Sequence, residues 1–166
     1  MPDAAAVLLP VRLRRTPRDW LVRACVLLVV LVFVQAPGLV SPDTKLDLTV
    51  DPGGFLTRAA HLWTSQSPLG QVQNQAYGYV FPQGAFFLLG DLAGVPGWVV
   101  QRTWWALLLC LGLVGVARLA DALDVGTPGS RLVAGWAYVL APRVLTTLGP
   151  LSSETLPVVL APWVLL

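Results

Sequence analysis

The sequence predicts an all-α polytopic membrane protein. Composition is the first reason: 55% of the residues are hydrophobic, 12% are charged and the mean hydropathy is +0.68. A soluble domain carries about a quarter charged residues, so this chain lacks the surface that would keep it in solution. The second reason is that its apolar residues form successive runs of about the length that crosses a bilayer. The third is a basic flank just before the first run. The chain is still apolar at Leu166, with no polar stop, and is therefore read as the N-terminal fragment of a longer polytopic protein.

The net charge of +2 says little about partners. Beyond the N-terminus no basic tract is interleaved with aromatics, so no nucleic-acid partner is expected. Cys25 and Cys110 lie inside apolar runs, without CxxC spacing or a nearby histidine. Neither zinc nor a disulfide is expected, and both read as small buried apolar residues.

Residues 1–19 form a basic N-terminus, and over residues 1–23 Arg12, Arg14, Arg15, Arg18 and Arg23 outnumber Asp3 and Asp19. Such a flank favours the cytoplasmic side. Residues 20–40 are the first transmembrane helix, about 21 residues against the roughly 20 that a bilayer needs. A basic region, an apolar run and Val34-Gln35-Ala36 also fit a cleaved signal peptide, although Pro37 follows the cut directly. Either reading places residue 41 onward outside the cytoplasm.

Residues 41–97 form an outer loop. Asp43, Lys45, Asp47, Thr49 and Asp51 alternate with mostly apolar residues. This period of two predicts an extended segment with three carboxylates on one face. Asp51-Pro52 then predicts a helix start, with Asp as N-cap and Pro at the first position. That helix is expected to run to about Trp63 and to lie in the interface plane. Residues 74–83 mix amides and aromatic rings, and Ala85 to Leu89 is an apolar patch too short to span.

The second transmembrane helix is expected over 98–117, with Trp98, Trp104 and Trp105 near its outer end and Arg102 snorkelling outward. A cytoplasmic loop, 118–131, and a third transmembrane helix, 132–148, follow. An outer link, 149–155, leads to the start of a fourth transmembrane helix, 156–166. By this count the 41–97 loop and the 149–155 link share the outer face.

The acidic stretch admits three chemistries: general base, ligand of a divalent cation, or solvated charge. Its spacing alone is no metal motif, so a divalent cation stays an open cofactor reading with none assigned. For Asp51 the capping role is favoured. Arg143 lies inside a span, where an ionisable residue is costly and finds a partner; a lipid phosphate, Glu154 or simple snorkelling each fit. Glu154 also suits the start of a helix. Rings and amides at Asn74, Gln75, Tyr77 and Tyr79 suit a carbohydrate, as they also suit an ordinary structured loop. His61, the only histidine, reads as interfacial.

The strings DTKLDLTVDPGGFLTRAAHLW, QNQAYGYVFPQGAFF and LAPRVLTTLGPLSSETLPVVLAPWVLL occur in order over residues 40–166. They resemble the N-terminal part of the actinobacterial arabinan α-(1→3)-arabinofuranosyltransferases, which are large GT-C membrane glycosyltransferases. The resemblance implies GT-C-like transmembrane helices, with an outer loop that carries interfacial helices. It implies a decaprenyl-phosphoryl arabinofuranose donor, an arabinan acceptor and inverting transfer at the outer face of the inner membrane. It further implies a catalytic Asp soon after the first span: Asp43 matches best, then Asp47. Arg143, Glu154 and Arg58 become candidates at the donor phosphate. Asn74, Gln75, Tyr77 and Tyr79 become candidates at the acceptor. The family's remaining spans and its large C-terminal region are missing, so the fragment is expected to be inactive alone. The competing reading is a non-catalytic transporter or scaffold segment that binds a polyprenyl lipid.

Overall fold

The structure, a computed structural model, describes residues 15–41, 45–64, 69–72 and 77–166. It is built on one long helix, α6 (Gly97–Ala122), against which α1 (Arg18–Val34), α7 (Pro128–Val139) and α9 (Ser152–Val164) all pack. Its 26 residues rise about 39 Å. Among the described residues it is the single helix both long and apolar enough to cross a membrane unaided. It runs past the expected 98–117 at both ends.

α1 lies antiparallel to α6. It buries Leu21, Ala24, Leu28 and Val32, a spacing that lines one helical face. At one end of the pair, Thr16 donates from its backbone N and its hydroxyl to Asp121 Oδ1, each at 2.9 Å. At the other end, Phe33 meets Trp98 edge-on, 6.1 Å between centroids. Cys110 Sγ points at the Cys25 carbonyl, 3.7 Å away, and both cysteines are free.

Two glycines let the helices close on α6. A Cβ at Gly112 would stand 2.9 Å from Val139 of α7 and 3.2 Å from Val159 of α9, and one at Gly135 would stand 2.8 Å from the Leu113 carbonyl. Small residues that allow backbones to approach are the usual means of helix packing in membranes.

The expected continuous third transmembrane helix, 132–148, is two helices. α7 ends at Val139 and α8 (Pro142–Leu148) starts anew. Ala141, at ψ 141°, is held out of the helical region by the proline after it. α9 starts at Ser152, so the link is shorter than the expected 149–155. Inside α9, Pro162 cannot bond to the Val158 carbonyl, and the Tyr138 hydroxyl of α7 donates to that carbonyl instead at 2.6 Å. The helices therefore run alternately up and down, and the described residues of 41–97 gather at the end where α8 meets α9. We term this the loop end, and the opposite one the arginine end, after Arg15, Arg18, Arg118 and Arg131.

At the loop end the chain forms α2 (Leu46–Val50), α3 (Pro52–Ala59), a two-residue hairpin, α4 (Tyr77–Tyr79), a π-helical turn (Val80–Gly84) and α5 (Ala85–Leu92). In the hairpin β1 (Trp63–Thr64) pairs antiparallel with β2 (Gln71–Val72). The extended segment expected from Asp43 to Asp51 is helical from Leu46 to Val50. Burial overrides the β-branched preference here: Leu48 and Thr49 are buried, and the Thr49 carbonyl sits against Gly97 at the start of α6. α3 stops at Ala59, short of the expected Trp63, which is in the hairpin.

Candidate functional site

The site is built where the loop leaves the helix bundle. Gln101, only 2% exposed on α6, grips the backbone of Ser41 twice. Its Oε1 accepts from the Ser41 N–H and its Nε2 donates to the Ser41 carbonyl, both at 2.9 Å. This amide clasp fixes the entry of the acidic stretch to the second turn of α6. Sequence reasoning missed it. The available signal was an amide inside an apolar run, which must find partners there.

The next fixed point is Arg58. Its Nη2 stands 3.0 Å from Asp47 Oδ2 and its Nη1 3.5 Å from Asp51 Oδ2. Asp51 also caps α3 as the sequence predicts, accepting from Gly54 N at 2.9 Å, with Pro52 at the first helical position. One guanidinium thus holds two carboxylates four residues apart, Asp47 of α2 and Asp51 at the junction of α2 and α3. Asp43, the first catalytic candidate, lies outside the described residues, as do Asn74 and Gln75.

The helices around this turn are tied into the bundle by polar contacts. Leu56 of α3 packs on Gly84 of the π-turn. The adjacent Gln83 is buried and donates from Nε2 to the Ser152 hydroxyl of α9 at 2.9 Å. The Thr147 and Thr155 hydroxyls share a hydrogen bond of 3.0 Å between α8 and α9. On the surface of the same pair, Arg143 Nη2 reaches Glu154 Oε2 at 3.0 Å. Both side chains are at least half exposed, so the pair adds little stability and stays open to ligand.

The proposed acceptor residues divide. Tyr77 is exposed, whereas Tyr79 is 5% exposed with its ring edge-on to Phe55, 6.4 Å between centroids. Tyr79 therefore packs the core and offers no open face for stacking. Arg102 also departs from expectation. It does not snorkel outward but is 3% exposed, with its guanidinium 4.4 Å from the Trp105 ring centre. Among the described residues its Nε has no hydrogen-bond partner. Among the described residues no group of three His, Cys, Asp or Glu side chains stands close enough to hold a metal ion.

The chain is an all-α bundle of short and long apolar helices with an acid-bearing first loop folded back on its end, the fold seen in the GT-C arabinofuranosyltransferase structures. Residues 27–166 match the family described as alpha-(1->3)-arabinofuranosyltransferase, N-terminal GT-C domain, and the chain belongs to that family. It is similar to the alpha-(1->3)-arabinofuranosyltransferase of Mycolicibacterium smegmatis, with 66% identity over 82% of this chain and 10% of that protein. The enzyme of the same name from Mycobacterium tuberculosis is 61% identical over 90% of this chain and 11% of that protein. A cryo-EM structure of arabinofuranosyltransferase AftD from mycobacteria superposes with a TM-score of 0.85 at 58% identity, covering 91% of this chain and 12% of that one. The chain thus spans about a tenth of the length of the relatives it matches.

Proposed function

We propose that this chain is the N-terminal catalytic portion of a membrane glycosyltransferase that moves arabinofuranose from decaprenyl-phosphoryl arabinofuranose to cell-wall arabinan, forming an α-(1→3) branch. The observation that carries the reading is the acidic stretch that follows α1. Gln101 clasps its entry to α6, and it continues into a turn held by Arg58. In this reading an Asp of the stretch is the general base. Asp47 is engaged by Arg58, and Asp51 by Arg58 and the α3 cap. By position soon after the first span, the family resemblance assigns the role first to Asp43 and second to Asp47.

The carboxylate accepts the proton of the acceptor hydroxyl as that oxygen attacks the anomeric carbon from the face opposite the phosphate. The sugar–phosphate bond breaks and the configuration inverts. A cation beside the departing phosphate stabilises the charge that develops. Arg143, at the exposed loop end and oriented by Glu154, supplies it, and Arg58 holds the acidic turn in place. Tyr77, with Asn74 and Gln75, contacts the acceptor. The arginine end faces the cytoplasm by the positive-inside rule, which puts the loop end on the outer face of the inner membrane.

The test uses a full-length enzyme carrying this sequence and a labelled decaprenyl-phosphoryl arabinofuranose donor. Asp43→Asn abolishes transfer while expression and donor binding persist. Wild-type rates in both Asp43→Asn and Asp47→Asn would remove the base from this stretch.

A further inference from the structure

At the arginine end a cavity of about 450 Å³ opens between α1 and α6. It is lined by Leu21, Val22, Cys25, Val26, Val29, Val30 and Val114, with Arg18 and Arg118 beside them. We propose that this groove binds an anionic phospholipid, its acyl chain along the aliphatic wall and its phosphate at the two guanidinium groups.

Three observations argue for that occupant. The first is register. The α1 residues recur at three- and four-residue steps from Arg18 to Val30, so they form one continuous stripe. Twelve steps rise about 18 Å, close to the roughly 15 Å of one leaflet's hydrocarbon. The second is polarity. Apart from Cys25, the wall between the arginines and Val30 is wholly aliphatic, and Val22, Val26, Val29 and Val30 are 40–56% exposed. A tail is accommodated there without stranding a polar group.

The third is charge. Arg18 makes no ion pair among the described residues. Nearby carboxylates are engaged elsewhere: Asp19 lies 3.6 Å from Arg23, and Asp121 is bonded by Arg131 and by both donors of Thr16. Arg118, 36% exposed, has its Nη1 3.7 Å from Asp121 Oδ2. That shared carboxylate leaves its charge largely uncompensated. Two guanidiniums at the mouth of a leaflet-deep groove complement a phosphodiester, which accepts their hydrogen bonds in the bidentate manner arginine favours. A neutral apolar helix from elsewhere in a longer chain would give these cations no counter-charge.

The experiment places a full-length arabinofuranosyltransferase carrying this sequence in nanodiscs of equal parts phosphatidylglycerol and phosphatidylcholine. Native mass spectrometry then counts the lipids that remain bound. The wild-type protein retains phosphatidylglycerol in preference. Arg18→Gln and Arg118→Gln each lower that retention by about fivefold, the weight of one basic residue at an anionic membrane surface. Val26→Trp fills the groove without changing charge and lowers retention as well. Arg23→Gln, outside the groove, leaves it unchanged. Should Arg118→Gln fail to fold, Arg18→Gln carries the test, because Arg18 is exposed and makes no ion pair among the described residues. Equal retention of both lipids by the wild type would overturn the proposal. So would undiminished phosphatidylglycerol binding by Arg18→Gln and Val26→Trp, or a cryo-EM map in these nanodiscs with a protein helix seated in the groove.

Discussion

Replacing Gln101 by Leu tests whether the amide clasp holds the acidic stretch to the bundle. The change leaves α6 with a side chain of similar volume and removes both contacts to Ser41, the 2.9 Å bond to its N–H and the 2.9 Å bond from Nε2 to its carbonyl. A buried polar group left without a partner costs about 1–3 kcal/mol. Ser41 is only half-buried, so water recovers part of that cost and the low end applies to each of the two groups. The sum, about 2 kcal/mol, is roughly a thirtyfold change in the ratio of released to clasped loop. Hydrogen exchange followed by mass spectrometry reads that ratio directly. The amides of Ser41 and of residues 45–50 exchange about thirtyfold faster in Gln101→Leu, whereas those in the middle of α6 keep their protection. Transfer activity of the full-length enzyme falls along with it. Unchanged exchange over the loop would show that residue 41 is held by other contacts and that the clasp has no part in presenting the carboxylates.

Other perturbations read other parts of the frame. Arg131, 1% exposed, donates to Asp121, Asp124 and the Val125 carbonyl. Arg131→Met removes the closest cation from the buried Asp121, leaving it the two Thr16 bonds and the 3.7 Å contact of Arg118; it lowers stability by about 3 kcal/mol in thermal unfolding, and adding Asp121→Leu recovers part of the loss. Gly135→Ala brings a Cβ to 2.8 Å from the Leu113 carbonyl, and the separation of α7 from α6 costs about 1–3 kcal/mol; an unchanged melting temperature would disprove the close approach. A cysteine at residue 64 reacts with an impermeant thiol reagent on intact cells. Labelling only after lysis would reverse the proposed orientation.

What the sequence showed and what it hid separate along a physical line. The apolar runs are local properties and appear as α1, α6 and α9. So does the Asp51–Pro52 helix start, whose cap is satisfied within three residues by Gly54 N. The helix at Leu46–Val50 was hidden because it depends on burial of Leu48 and Thr49 against a segment some fifty residues away. The clasp between Ser41 and Gln101 was hidden for the same reason, being a contact across 60 residues. Tyr79 looked like an open aromatic ring in a polar stretch, and only the packing of Phe55 shows it to be core. The break at Ala141 could have been read from Pro142, yet apolar content outweighed it.

The bond from Tyr138 to the carbonyl released by Pro162 bears on how the bundle is assembled and how it tolerates change. A helix that enters lipid with a carbonyl left open carries an unmet demand of several kcal/mol. Of the two carbonyls that Pro157 and Pro162 leave open on α9, the one of Val158 is met by one hydroxyl on α7. A slip of α9 by a single residue breaks the match, so the proline acts as a position marker that rejects neighbouring registers. It also makes the two residues a unit of inheritance. Tyr138→Phe would leave the Val158 carbonyl open, and Pro162→Ala would supply it with a helical N–H, so Tyr138→Phe costs less when Pro162→Ala accompanies it.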